Sequence, residues 1–227
     1  MDICDFHAHI LPALDHGTSS VEESLAQLRL AADNGVGRIV ATSHFYPESS
    51  SVATFVARRS ESYRLLCDAL TSGLPEIKLA AEVLLCPGMH RMEDLSQLCI
   101  DGSSSILIEL PFNGFGADHV EALRGIISLG YDVVLAHADR YDPVLINSLL
   151  PLGCRIQLNA SALSGLFVRR HLRNWCARGS VVAIGSDIHG ADRKAYRRLV
   201  RAVHRLGDYA EYVRRESDAI WYSGISR

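Results

Sequence analysis

Short apolar runs alternate with longer amphipathic ones along the whole chain. Seven of the runs, DICDF (2–6), GRIVATS (37–43), EIKLAAE (76–82), SILIEL (105–110), DVVLAH (132–137), RIQLN (155–159) and VVAIGSD (181–187), read as buried strands of a parallel sheet. Helical spacing fills the intervals. The first helix is the clearest: Ser20 and Glu23 make a capping box, Val21, Leu25, Leu28 and Ala32 form an apolar stripe, and Gly35 supplies the stop. Further helical patterns cover Val52 to Leu70, His119 to Leu129, Pro143 to Leu150 and Arg193 to Leu206, while the serines at 49–51 and 103–105 mark loops. No repeat, low-complexity tract or linker divides the chain. Seven βα-like units in one stretch predict an α/β barrel or barrel-like sheet, in a single domain spanning residues 1–227.

Composition narrows the partners. A chain of 227 residues, 48% hydrophobic and 22% charged, can bury a substantial core. Its net charge of −3 and pI near 6.4 argue against a nucleic-acid binder. Cys4, Cys67, Cys86, Cys99, Cys154 and Cys176 form no C-x-x-C pair and the N-terminus has no secretory pattern, so the expected compartment is a reducing cytoplasm. No apolar run approaches the roughly 20 residues of a membrane helix, and membrane insertion is not expected. Oligomeric state is not legible.

The chemistry emerges from where the metal-capable residues fall. His7 and His9 end the first strand, His44 the second and Glu82 the third; Glu109 lies within the fourth, His137 ends the fifth, and Asp187 and His189 end the seventh. Carboxyl ends of strands are where barrel active sites are assembled. One histidine at a strand end is commonly incidental, but acids and histidines recurring in phase predict a polynuclear metal site. Nitrogen and oxygen donors without cysteine suit Mn²⁺, Fe²⁺ or Zn²⁺, and eight or nine ligands exceed what one ion holds, so two or three ions with a bridging carboxylate are expected. Such ions polarise phosphoryl oxygens and generate hydroxide near neutral pH, the equipment of a hydrolase.

H-A-H (7–9), I-L-P-A-L-D-H-G (10–17), A-T-S-H (41–44), A-A-E-V (80–83), I-L-I-E-L-P-F (106–112), L-A-H-A-D-R (135–140), Q-L-N-A-S-A-L-S-G-L-F (157–167) and G-S-D-I-H (185–189) together resemble the PHP superfamily. More closely, the series is similar to the metal-dependent bacterial protein-tyrosine phosphatases of the CpsB/CapC/YwqE type, over about residues 3 to 193. The resemblance implies a distorted seven-stranded βα barrel and a trinuclear centre, usually with manganese. It also implies hydrolysis of phosphotyrosine on the tail of a bacterial tyrosine kinase controlling capsule or exopolysaccharide synthesis. Carried over residue by residue, His7, His9, bridging Glu82 and Asp187 hold one ion; Glu82, Glu109 and His137 a second; His16, His44 and His189 a third. Relatives have D-D-G where this chain has Asp15, His16 and Gly17, which leaves Asp15 as the alternative third-site ligand. Asp139 stands where relatives mostly carry glutamate.

Arg140 and Arg193 follow strand ends and could present planar, permanently charged forks to phosphoryl oxygens. The expected mechanism is in-line attack on phosphorus by a hydroxide generated at the ions, without a covalent phosphoenzyme. Phe45, Tyr46, Phe112 and Phe115 follow strands two and four and could wall a planar ring, or simply pack. Other readings fare worse. No cysteine is followed by arginine as C-x5-R, which removes the thiol phosphatases; Lys78 and Lys194 sit at neither end needed for the carboxylated lysine of binuclear amidohydrolases. A phosphoesterase for a small substrate such as histidinol phosphate is the alternative, and a barrel that only binds a partner is disfavoured by its full set of acids and histidines.

Overall fold

The computed structural model describes residues 3–165, 167–190 and 192–223. Its strands are β1 (Ile3–His9), β2 (Val36–Phe45), β3 (Glu76–Leu84), β4 (Ser105–Glu109), β5 (Asp132–Leu135), β6 (Arg155–Asn159), β7 (Val181–Gly185) and β8 (Ile188–His189). All pair in parallel, in the order β7-β6-β5-β4-β3-β2-β1-β8. Helices α1 (Val21–Asp33), α2 (Val52–Cys67), α3 (Ala117–Ser128), α4 (Pro143–Leu149), α5 (Ala160–Leu163), α6 (Arg170–Ala177), α7 (Ala195–Arg205) and α8 (Ala210–Tyr222) complete the described elements, with short 3₁₀ turns. The strand count is eight rather than the expected seven, because the chain leaves β7 at Gly185, turns through Asp187, and pairs two further residues with the far side of β1.

The sheet curls until its seventh strand meets its first. Asp187 N–H donates to the His7 carbonyl (2.8 Å) and Ser186 N–H to the Asp5 carboxylate (2.7 Å), stitching β7 to β1 without a regular ladder. Gly185 makes this approach feasible, since a Cβ there would lie 2.4 Å from the His7 Cβ. Helix α1 starts where its cap predicts: Ser20 Oγ accepts from Glu23 N–H, although the Glu23 carboxylate reaches Ser19 rather than completing the reciprocal box, and Gly35 leaves the helix at φ +78°.

Inside the curled sheet, Phe6, Val40, Ala80, Leu107, Val134 and Val182 form an apolar plug, closed from below by Ile220 and Trp221 of α8. Helix α8 lies outside the expected helices, and it is the floor of the barrel. Lys78 Nζ donates to the Trp221 carbonyl (2.6 Å), and both Lys78 and Arg38 lie over the Trp221 ring. The outer face of the sheet packs against the surrounding helices in a second, larger apolar layer. Polar chemistry is left for the upper end.

Candidate metal centre

The first strand sets the site. Between Asp5 and Ala8 the pairing of β1 with β2 slips by one residue, a bulge that breaks the alternation of faces. Phe6, within the bulge, joins the apolar plug, and His7 beside it and His9 beyond it also turn inward. Both imidazoles are fully buried. Their Nδ1 atoms are committed: His9 donates to Asp15 Oδ2 (2.8 Å) and His7 to Gln157 Oε1 (3.2 Å). The Gln157 amide is oriented by the His137 backbone N–H, which can only donate, at 2.6 Å from the same Oε1. Each ring thus presents an Nε2 lone pair, and the two lone pairs face one another at 3.1 Å. That arrangement repels unless a cation lies between them.

Glu82, at the end of β3, supplies the matching charge. Its buried Oε2 has no hydrogen-bond partner, although His44 Nδ1 (3.0 Å), His7 Nε2 (3.2 Å) and His9 Nε2 (3.3 Å) stand around it. Asp187 Oδ1 lies 3.6 and 3.7 Å from the same two Nε2 atoms. Glu82 Oε1 meets His137 Nε2 at 2.6 Å, with Glu109 Oε1 3.6 Å from that nitrogen. Three groups have donor atoms spaced to hold an ion: His7, His9 and Glu82; His44, Glu82 and Glu109; His9, His44 and His189. An orphaned carboxylate oxygen ringed by imidazole nitrogens is the chemistry of a metal site, so the residues fit divalent ions.

Electrostatics agree. Burial disfavours charge on His7, yet Glu82 and Asp187 raise it to about 9; burial and the charge of Glu82 push Glu109 up to about 7. Burial opposes ionisation of Glu82 as well, but the surrounding imidazoles hold its carboxyl far below the usual range. Protons are drawn to the place a cation would take, and a metal competes with them for the same lone pairs. Two residues of the cluster also sit on left-handed backbone, His137 at φ 32° and Asp187 at φ 53°, a cost seen where side-chain aim overrides backbone preference.

The outer part is built from imidazoles alone. His189 Nδ1 donates to the Asp187 carbonyl (3.1 Å), leaving its Nε2 3.4 Å from that of His44. His16, exposed, stacks its ring 4.5 Å from His44 and 4.6 Å from His189 between centroids. Asp15 is otherwise engaged: besides His9 its carboxylate accepts from His44 N–H (2.9 Å) and Gly17 N–H (2.9 Å). The turn that presents Asp15 and His16 needs glycine next, because a Cβ on Gly17 would lie 2.4 Å from the His9 carbonyl oxygen.

Comparison with known proteins places this geometry. The family model described as "Capsular polysaccharide synthesis, CpsB/CapC" matches residues 3–214. The chain belongs to the CpsB/CapC family. It is 27% identical over 209 residues to the tyrosine-protein phosphatase CpsB of Streptococcus pneumoniae, covering 84% of each chain. It is 28% identical over 177 residues to the tyrosine-protein phosphatase YwqE of Bacillus subtilis, covering 72% of this chain and 66% of that one. In fold it is similar to a solved structure from work on YwqE of B. subtilis and CpsB of S. pneumoniae, described as metal-dependent tyrosine phosphatases, with TM-score 0.81, 19% identity, and 99% and 96% of the two chains covered.

Within this CpsB/CapC chain the two arginines differ. Arg140 donates to Asp187 Oδ2 at the rim of the cluster, with its side chain still 42% exposed. Arg193 is exposed in the turn before α7, and among the described residues no contact joins it to the cluster. Asp139 is buried, its carboxylate accepting from Asn159 N–H (2.7 Å), so it holds the end of β6. Gln157 and Asn159 brace the cluster without being expected there: Gln157 bridges His7 and His137, and Asn159 Nδ2 donates to Asp187 Oδ2 (3.0 Å). Their signal was two amides at alternate positions of a buried strand. The aromatics also divide: Phe45 packs in the core on Phe55 and Phe115 on His119, whereas Tyr46 and Phe112 are exposed. Tyr46 stacks on His44, and Phe112 on Tyr141, itself stacked on His137. Burial pushes the Cys99 and Cys154 thiols up to about 12 and Cys176 to about 11, away from nucleophilic duty.

Proposed function

We propose that the chain, as one domain over residues 1–227, is a metal-dependent protein-tyrosine phosphatase. Its proposed substrate is phosphotyrosine on the tail of a bacterial tyrosine kinase that governs capsule or exopolysaccharide synthesis. The observation that carries this reading is the orphaned Glu82 Oε2 amid the nitrogens of His7, His9 and His44, in a chain whose relatives are named tyrosine phosphatases. In this reading His7, His9, Glu82 and Asp187 hold one ion, Glu82, Glu109 and His137 a second, and His16, His44 and His189 a third, with Mn²⁺ favoured over Zn²⁺ or Fe²⁺ by the carboxylates. Divalent ions held there would polarise the phosphoryl oxygens and lower the pKa of water beside the phosphorus.

The chain's own groups do the rest. Arg140, tethered by Asp187, has donors to spare for phosphoryl oxygens, and Arg193 is the second candidate for that duty. Tyr46 on one rim and Phe112 over Tyr141 on another offer faces to the phenyl ring. A phenol leaves readily, with pKa about 10, so the engagement of Asp139 in the main chain costs little. Free thiols at Cys67, Cys86, Cys99, Cys154 and Cys176 fit a reducing cytoplasm. No described helix is long and apolar enough to cross a membrane. The test is competition between a phosphotyrosyl peptide and histidinol phosphate at equal concentration, with added Mn²⁺. Preference for the peptide is expected; preference for the small substrate would replace this reading.

A further inference from the structure

Charge on this chain is divided unevenly. Between residues 165 and 206 there are ten Arg and Lys against only Asp187 and Asp192, an excess of eight in a chain whose net charge is −3, so the remainder carries −11. The folded chain gathers that excess on one side. On α7, Lys194 at its cap and Arg197, Arg201 and Arg205 fall at i, i+3, i+7 and i+11, one exposed stripe opposite the buried Tyr196, Leu199 and Ala202. On α6, Arg170 and Arg173 are exposed opposite the buried Leu172, Trp175 and Cys176. Arg173 and Arg205 line one cleft between the two helices.

Elsewhere several arginines are neutralised. Arg64, Arg91, Arg155 and Arg214 each lie against a carboxylate. Within the basic stretch only Arg198 forms an ion pair, with Asp192, among the described residues. Arg205 donates to the Gly165 carbonyl, and Arg169 Nη1 to the Asp139 carbonyl (3.5 Å), two residues from His137. The unpaired positive face therefore runs up to the metal centre. Phe167, 92% exposed, stands on the loop between them.

We propose that the α6–α7 face is a docking track for an acidic polypeptide segment flanking the phosphotyrosine. This rests on the phosphatase reading of the centre. A phosphotyrosine seated at the cluster must bring its own chain across the adjoining surface, and that surface offers planar guanidinium forks suited to carboxylates and further phosphates. Single exposed pairs contribute little, so the face acts through its summed field: it raises encounter rate and lowers KM, leaving the chemical step alone.

The triple variant Arg170→Gln, Arg197→Gln, Arg201→Gln tests this, because all three are exposed and lie apart from the cluster. Substrates are a phosphotyrosyl peptide flanked by Asp and Glu, the same peptide flanked by Ser and Gly, and p-nitrophenyl phosphate. The parent should favour the acidic peptide about tenfold in kcat/KM at low salt, with the preference lost at high salt. The variant should lose the preference through KM, with kcat and p-nitrophenyl phosphate turnover unchanged. An acidic preference that survives in the variant overturns the proposal, as does its absence in the parent. Fluorescence anisotropy of a labelled, unphosphorylated acidic peptide keeps the two readings apart: if no phosphotyrosyl peptide is hydrolysed the phosphatase reading fails, while binding lost in the variant still supports the track. Vesicles containing phosphatidylserine that bind the parent and not the variant, with acidic-peptide binding equal in both, would assign the face to a membrane surface instead.

Discussion

The deep and outer halves of the metal centre are built from different donors. Deep in the mouth, Glu82, Glu109 and Asp187 face His7, His9 and His137, and burial leaves their charges no solvent to turn to. At the rim, His16, His44 and His189 offer nitrogen alone, and His16 is exposed. Burial and the neighbouring His9 push His44 down to about 4, and burial lowers His189, so both rings stay neutral with a lone pair to offer. The contrast teaches that, in the proposed centre, charge would bind the inner ions and softness would select the outer one. An outer site without a carboxylate of its own should be the weaker and the more tolerant of Zn²⁺ and Fe²⁺.

Glu82→Gln should break both halves at once, since one carboxylate serves His7, His9, His44 and His137. Loss of all bound metal and of more than about a hundredfold in turnover is expected; metal analysis of the purified variant checks it, and retention of the outer ion alone would show the halves to be independent. Gln157→Ala frees the Nδ1 of His7 and the His137 main chain without touching a donor atom. Metal affinity of the deep half should fall about 10- to 100-fold, measured by chelator competition, with the rim unaffected.

His16→Asp probes the rim only. An aspartate there adds a hard anionic donor to the rim, so the variant should hold its outer ion more tightly and shift activity toward Mn²⁺, read by metal titration. An unchanged metal preference with three ions bound would make His16 a bystander. The smallest effect lies beneath the cluster. Burial raises Asp5 to about 6 against hydrogen bonds from Ser186 and His7, and its Oδ2 has no partner. A raised carboxyl stabilises the fold below its unfolded value near 4 and loses that contribution as pH rises through about 6. In chelator-treated protein, Asp5→Asn should remove this loss, gaining on the order of 2 to 3 kcal/mol over the parent above pH 7 by urea unfolding, and no gain below pH 4.

Much of the deep half was legible because buried parallel strands read as apolar runs, and a polar residue at the end of such a run stands out. Glu82, Glu109 and His137 are of this kind. The β1 bulge was not legible: nothing in ICDFHAH marks where alternation breaks, and only pairing with β2 fixes it. Strand β8 is two residues long, too short for any periodicity. Helices α6 and α8 were hidden by their charge. The buried face of α8 is Val213, Ser217, Ile220 and Trp221, a stripe diluted by serine and wrapped in arginines and acids. Gln157 and Asn159 look like interruptions of a strand until the imidazole and carboxylate they orient are placed beside them.

Turnover of a phosphotyrosyl peptide by fully chelated protein, followed as Mn²⁺ is added back in measured equivalents, tests the metal-dependent phosphatase most directly. No hydrolysis is expected before the deep half fills, with activity rising over the next equivalents and unaffected by thiol alkylation. Hydrolysis by the metal-free protein, or metal binding at full stoichiometry without hydrolysis of the peptide, would contradict it.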